Sequence, residues 1–246
     1  FQPLARAFKI NDYKRIKKNL SEVRFPNFKL LVTGDGRVNK GVQELLEHTN
    51  IKKISPQSYL NETFQHPVYC NLETKDYVIH KDNIQFNLNH FIEFPKEYKS
   101  RSYQHLKISD LFISAHYWDP NSPKIFTRNQ VSEFSKLKLI GDVTCDIDGS
   151  VPTTIKSTTI QKPYYYFNLD TFSETEKSKC DIAIMSIDNL PSELPRDSSR
   201  EFGNDIIKEV IPYLLGKDDG RIKNATITNK GSFLEKYKYL DEYINS

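Results

Sequence analysis

Cysteine, methionine and glycine are scarce in this chain, and neither sign of charge prevails. The three cysteines, Cys70, Cys145 and Cys180, are odd in number, scattered and never paired as CxxC. That excludes a disulfide framework and a finger-type zinc site, and leaves reduced thiols. No set of His, Cys and carboxylate residues has credible ligand spacing, so no metal is expected. Basic residues number 35 against 32 acidic ones, a formal charge of +3, too even to single out nucleic acid as a partner. The densest basic run, KRIKK at 14–18, fits the solvated side of a helix over about residues 11–22. No apolar run approaches the roughly 18–20 residues that span a bilayer, and FQPLARAFKI lacks the apolar core of a signal peptide. We therefore expect no membrane and no nucleic-acid partner, and a cytoplasmic location. The only methionine is Met185 and the chain opens on Phe1. Either an initiator was removed together with more sequence, or this is the second part of a longer polypeptide.

What is present suits a globular protein. The 246 residues, 37% hydrophobic and 27% charged, can bury one large core or two small ones. After the N-terminal helix, FKLLVTG (28–34) has the length and β-rich composition of a buried parallel strand. VNKGVQELLEH (38–48) places Val38, Val42, Leu45 and Leu46 on one helical face. Strands are expected at 51–55, 66–72, 109–118, 137–147, 163–168 and 180–191, and a short helix at 126–134. Residues 73–105 read as an insertion with a small hairpin near YVIHKDNIQF. A long helix is expected over 198–216, with Ser198 or Ser199 as N-cap and Gly216 at its end, and a final helix over 234–244. Strands alternating with helices imply a Rossmann-like, doubly wound α/β fold, its sheet mainly parallel with helices on both faces. In such sheets the ligand lies beyond the carboxyl ends of the strands, where strand order reverses.

Three of the nine glycines fall within GDGRVNKG, directly after the first strand. Gly34 would allow the tight turn and Gly36 the close approach of a pyrophosphate, with the helix near Arg37 and Val38 aiming free N–H groups at it. Asn39 holds the place of the third glycine, and Gly41 arrives two positions late, so a plain strand–turn–helix stays open beside the phosphate cradle. The acid expected some 20 residues on, to bind ribose hydroxyls, is replaced by Ser55. Its absence permits NADP as well as NAD, with Arg37, Lys52 or Lys53 supplying positive charge.

VTGDGRVNKGVQELL, SAHYWDPNSPKIFTR, IGDVTCDIDGSVPTTIKSTTI and SIDNLPSELPRDSS together resemble, in order from about Phe25 to Tyr239, the nucleotide-binding domain of the alanine dehydrogenase and saccharopine dehydrogenase superfamily. The likeness is nearest to its lysine-ketoglutarate reductase branch. It implies hydride transfer between a nicotinamide, NAD or NADP, and the α-carbon of an amino acid through an imine. By the same resemblance Asp146 faces nicotinamide and substrate, with Asp142 and Asp148 as competing candidates in the same strand end. Thr144 is carried with the cofactor set. Ala115 and His116 line the cofactor; His116 could titrate near neutral pH, or be a strand-end histidine satisfied by backbone above Trp118. Asp188, Asn189 and Leu190 position the nicotinamide, in a loop that Pro191 and Pro195 stiffen. The family's catalytic lysine and histidine belong to an N-terminal domain that no stretch here matches. We therefore expect residues 1–24 to be a helix or linker from that domain and 25–246 the NAD(P)-binding domain. The expected partners are that domain or a partner chain, a small amino-acid or 2-oxo-acid substrate, and a second copy in a homo-oligomer. Two other readings remain: a non-catalytic nucleotide-binding sensor or interaction module, and a parallel α/β domain for another nucleotide such as S-adenosylmethionine.

Overall fold

A computed structural model describes residues 4–244. The chain divides into two compact units, 1–194 and 195–246.

The first unit opens with α1 (Ala7–Ile10) and α2 (Tyr13–Glu22), the latter capped by the Asp12 carboxylate, which accepts from the Arg15 N–H. It is built on β1 (Lys29–Thr33), β2 (Lys52–Ile54), β3 (Val68–Leu72), β6 (Leu111–Ser114), β7 (Leu139–Asp142), β8 (Tyr165–Asn168), β9 (Ser173–Thr175) and β10 (Ile182–Met185). These form one eight-stranded sheet in the order β2-β3-β1-β6-β7-β10-β8-β9. The strands from β2 to β10 in that order are parallel, while β8 runs antiparallel to β10 and β9 to β8. Side chains alternate across it as a strand requires. Leu30, Val32, Tyr69, Leu111 and Ile113 meet Leu46 and Val42 of α3 (Arg37–Glu47) on one face. Leu31, Cys70, Leu72, Phe112 and Ile140 share the other face with Tyr59 of α4 (Pro56–Asn61). The α/β fold is thus Rossmann-like, as the alternation of elements implied. One departure matters. In the usual dinucleotide-binding order the second strand adjoins the first, whereas here β3 does and β2 is at the edge.

The insertion after β3 is folded differently from the expectation of a local hairpin. It contains α5 (Thr74–Tyr77), β4 (Val78–His80), α6 (Leu88–Glu93) and β5 (Tyr98–Ser100). β4 pairs antiparallel with β5, His80 opposite Tyr98, across the intervening helix.

In the second unit the long helix starts at Pro195, not at Ser198 or Ser199. Proline's fixed φ and missing donor suit the first helical position. The helix widens into a π turn at Ile206–Val210 before continuing over Ile211–Leu215. Pro212 cannot donate to the preceding turn, which is the physical reason for that break. Gly216 ends it as expected. Arg221 is held by Glu209 at 2.8 Å and Asp219 at 2.9 Å. The final helix is a 3-10 stretch, Glu235–Leu240, followed by Asp241–Ile244.

Candidate functional site

β1 delivers the chain past β3 to edge strand β2, while β6 delivers it to β7 on the other side. The loops after β1 and β6 therefore part in opposite directions, and the crevice where such a sheet receives a ligand lies at their carboxyl ends.

Gly34 closes β1 at φ +121°, and a Cβ there would lie 2.4 Å from the Ala115 carbonyl oxygen at the end of β6. The loops of the two strands touch at this glycine. Its N–H donates to Leu72 O and its carbonyl accepts from Asn71 Nδ2, while Asp35 accepts from the N–H and hydroxyl of Thr74. Gly36 is the N-cap of α3, and nothing lies within 4 Å of where its Cβ would be. The first bond within the helix is donated by Lys40 to Gly36 O. The N–H groups of the first turn, Arg37 and Val38 among them, thus have no partner within the helix, at the positive end of its 11 residues.

Asn39 explains the missing third glycine. It is fully buried, and its amide donates to Asn71 Oδ1 at 2.6 Å and Thr33 O at 3.4 Å while accepting from Gln43 Nε2. Helix α3 is fastened to β1 and β3 by hydrogen bonds where a glycine would allow bare contact. Val38, expected in the core, is exposed because Asn39 takes the inward position. Gly41 stands exposed in the second turn, with open space around it. The structure does not bring it to the loop.

Ser55 is not at that loop either. It follows the edge strand and caps α4, its hydroxyl accepting from the Ser58 N–H. A cleft of about 530 Å³ opens beside it, lined by Lys53, Ser55, Asn71, Glu73, Lys75 and Asp76. Glu73 directly follows β3, the strand next to β1, and pairs with Lys75 at 2.7 Å. Counting 20 residues from the first glycine led to β2, but the acid at the neighbouring strand end is Glu73. Only the strand order could have revealed it.

At the end of β6, Ala115 and His116 are buried. His116 Nδ1 lies 2.7 Å from Thr33 Oγ1, and its ring packs on Tyr77 with centroids 5.6 Å apart. The partner is a side chain, not the backbone. Of the two readings open for it, packing at the strand end is favoured over titration near neutral pH: burial pushes the pKa down to about 4, against the pull of Asp142 and Asp35. His116 Nε2 and Trp118 Nε1 are both buried without a hydrogen-bond partner among the described residues. Buried ring nitrogens of this kind call for a polar partner.

This histidine makes stability depend on pH. Above its ordinary value of 6.5 it is neutral whether folded or unfolded, and its contribution is full. As pH falls from there towards about 4 the unfolded chain takes up a proton that the folded chain refuses, so stability is lost. At 1.36 kcal/mol per unit the loss is roughly 3 kcal/mol. Urea unfolding at pH 7 and pH 4.5 is expected to show it, and His116→Gln to flatten the slope; equal slopes in both proteins would contradict it.

The loop after β7 separates its three aspartates. Asp142 is fully buried; its carboxylate accepts from Ser114 Oγ at 2.5 Å, from Thr144 N and Oγ1, and from Thr154 Oγ1 at 2.6 Å. Thr144 is committed to that knot through both its N–H and its hydroxyl. Asp148, at φ 52°, offers its carboxylate and carbonyl to Lys124 Nζ, each at 2.7 Å. The Asp146 carbonyl accepts from the Gly149 N–H at 2.9 Å, while its carboxylate has neither hydrogen bond nor ion pair among the described residues; partial burial and then the charge of Asp142 raise its pKa. Gly149 turns the chain so tightly that a Cβ would fall 2.4 Å from the Asp146 Cβ. Cys145, at φ 56°, donates its thiol to Ser186 O and links this loop to the next.

After β10, Asp188 lies near enough to Cys145 to help raise its thiol to about 11, after burial and Asp142. Asp188 and Asn189 are exposed, and Asn189 precedes the 3-10 turn Leu190–Glu193 without a side-chain capping bond. That turn is tied to the N-terminal segment: Glu193 accepts from Arg6 Nη2 and from the Phe8 N–H, both at 3.0 Å. Gly34, Gly36, Arg37, Val38, Ala115, His116, Thr144, Asp146, Asp188, Asn189 and Leu190 thus follow the carboxyl ends of four parallel strands, β1, β6, β7 and β10. Away from that crevice, the fold also gathers His80, His90 and Glu97, whose sequence spacing had suggested no ligand set.

The sequence model of the family described as Alanine dehydrogenase/PNT, C-terminal domain matches residues 71–236, beginning just past the glycine loop. The chain is 27% identical over 235 residues to an Arabidopsis thaliana protein named alpha-aminoadipic semialdehyde synthase, covering 85% of this chain and 22% of that one. It is 24% identical over 245 residues to the mitochondrial proteins of that name from Mus musculus and Bos taurus, covering 85% of this chain and 26% of each. The chain therefore spans about a quarter of the length of these relatives. No described helix is long and apolar enough to cross a membrane.

Proposed function

We propose, for a chain that belongs to the alanine dehydrogenase/PNT C-terminal domain family, that it is the cofactor-binding part of an NAD(P)-dependent amino-acid oxidoreductase of the saccharopine or alanine dehydrogenase kind. The observation that carries this is the loop after β1. Gly34 is locked by the Ala115 carbonyl, while the Gly36 position is open and caps a helix whose first N–H groups have no partner within it. A pyrophosphate fits there: the backbone can approach it, the helix dipole favours it, and the exposed Arg37 adds charge. The adenosine half would extend towards the cleft between Lys53 and Glu73. The opposite half would lie along Ala115, His116 and the Asp188–Leu190 loop.

A nicotinamide bound in this way supplies or accepts hydride at the α-carbon of an amino acid. The chain's own part is to bind, orient and handle protons. Asp146, the aspartate of its loop whose carboxylate has no partner among the described residues, would face the substrate and stabilise positive charge on its nitrogen. His116, kept neutral by burial, would support the floor of the nicotinamide end through its packing on Tyr77 and its contact with Thr33. Its commitment to Asp142 leaves Thr144 only a backbone and shape role. Grip on the rest of the substrate would come from an N-terminal domain or a partner chain, and a second copy could complete the assembly.

Fluorescence titration of the chain with NADH and with NADPH tests this. Saturable binding of at least one, on the order of micromolar, is expected, as for an ordinary small-molecule site; no binding of either contradicts the proposal.

A further inference from the structure

The insertion between β3 and β6 has a feature that cofactor binding does not use. β4 and β5 are three residues each and form a two-stranded sheet of their own. Val78 and Tyr98 anchor this sheet to the main core, and it stays two-stranded. At its open end His80 comes from β4, Glu97 immediately precedes β5, and His90 projects from α6, whose N-cap Asn87 accepts from the His90 N–H. Three separate pieces of chain thus converge. One ligand atom from each lies within 4.8 Å of the others. Glu97 Oε2 is 3.2 Å from His80 Nε2 and 3.7 Å from His90 Nε2.

We propose that His80, His90 and Glu97 form a zinc site. Tetrahedral zinc with bonds of about 2.0–2.2 Å holds neighbouring ligand atoms roughly 3.3 Å apart, close to what Glu97 already keeps from each histidine. The outer contacts suit it too. His90 Nδ1 is engaged by Tyr98 OH at 3.0 Å, which leaves Nε2 as the ligating nitrogen. His80 Nδ1 accepts from the Asp82 N–H, so in the metal-free arrangement its Nε2 carries the proton and donates to Glu97. Zinc at Nε2 moves that proton to Nδ1, where the Asp82 carboxylate, 3.9 Å away, can accept it. The Asp82 N–H contact is lost in exchange, and the ring becomes oriented by a carboxylate, as ligating histidines usually are. His80 is buried, while the side chains of His90 and Glu97 are 41% and 51% exposed, so the fourth position opens to water or an incoming ligand. Binding would clip α6 to the β4–β5 sheet.

The test is zinc titration of the untagged, chelator-stripped full chain, with cobalt as a spectroscopic stand-in. We expect one zinc per chain, a visible cobalt spectrum of tetrahedral type, and a rise in unfolding temperature on zinc addition. His90→Ala and Glu97→Gln alter half-exposed side chains and should fold normally; each should weaken zinc roughly 100-fold, since losing even an outer partner costs about 10–100-fold. No zinc retained at micromolar concentrations, or equal binding by both variants and the wild type, would overturn the site and leave these residues as a hydrogen-bonded cluster.

Discussion

Alanine at position 34 is expected to destabilise the protein more than any other single substitution in the site loops. At φ +121° an L-residue is strained before any neighbour is considered, and the new Cβ would sit 2.4 Å from Ala115 O and 2.8 Å from Ala115 C. Both are backbone atoms at the end of β6, an interior strand bonded to β1 on one side and β7 on the other, so they cannot yield cheaply. Backbone strain of about 1–3 kcal/mol and overpacking of about 1–3 kcal/mol together give roughly 2–6 kcal/mol. Against a typical domain stability of about 5–15 kcal/mol that is a large share. Urea unfolding should show it. Gly36→Ala is the control, because its Cβ meets nothing within 4 Å; it should stay within about 1 kcal/mol of wild type. A Gly34→Ala protein as stable as Gly36→Ala would contradict the close contact of the two loops.

Removing the Asp142 carboxylate should be nearly as costly. It is the common acceptor for Ser114, Thr144 and Thr154, and so joins β6, the loop after β7 and the segment beyond Gly149. Asp142→Ala strands the hydroxyls of Ser114 and Thr154, whose residues are fully buried, at about 1–3 kcal/mol each, for a loss of roughly 2–6 kcal/mol. Asp142→Asn keeps the shape and one acceptor oxygen, and should cost about half as much. Chemical denaturation of the two variants distinguishes this from a simple charge effect, which would make them equal.

Much of this was legible in the residues. Strands buried on both faces of a parallel sheet read as continuous apolar runs, which is why FKLLVTG and HPVYCNL declared themselves, and four strand-end motifs pointed to one family. Periodicity says what a segment is but not which segment lies beside it. The exchange of β2 and β3 was therefore invisible, and with it the place of Glu73. Motif spacing also misleads when another residue does the same work by a different means. Asn39 packs α3 through hydrogen bonds, so the glycine two positions later carries no structural duty. Burial was the third blind spot. His116 at a strand end could be read as titrating or as packed, because tertiary packing rather than local sequence sets its environment. His80, His90 and Glu97 meet only because β4 pairs across a helix with β5.

The central claim is that Gly34 to Val38 cradle a cofactor's pyrophosphate. It is tested most directly by calorimetric titration of wild type and Gly36→Val side by side with NADH and NADPH. The open space at Gly36 means that valine should cost only about 1 kcal/mol, that of a poorer N-cap, and leave the protein folded, while its methyl groups occupy the phosphate's place. The account predicts binding by the wild type and a loss of roughly 100-fold or more, about 2.7 kcal/mol, in the variant. A folded Gly36→Val protein that binds either cofactor as tightly as wild type would contradict it and place the nucleotide elsewhere.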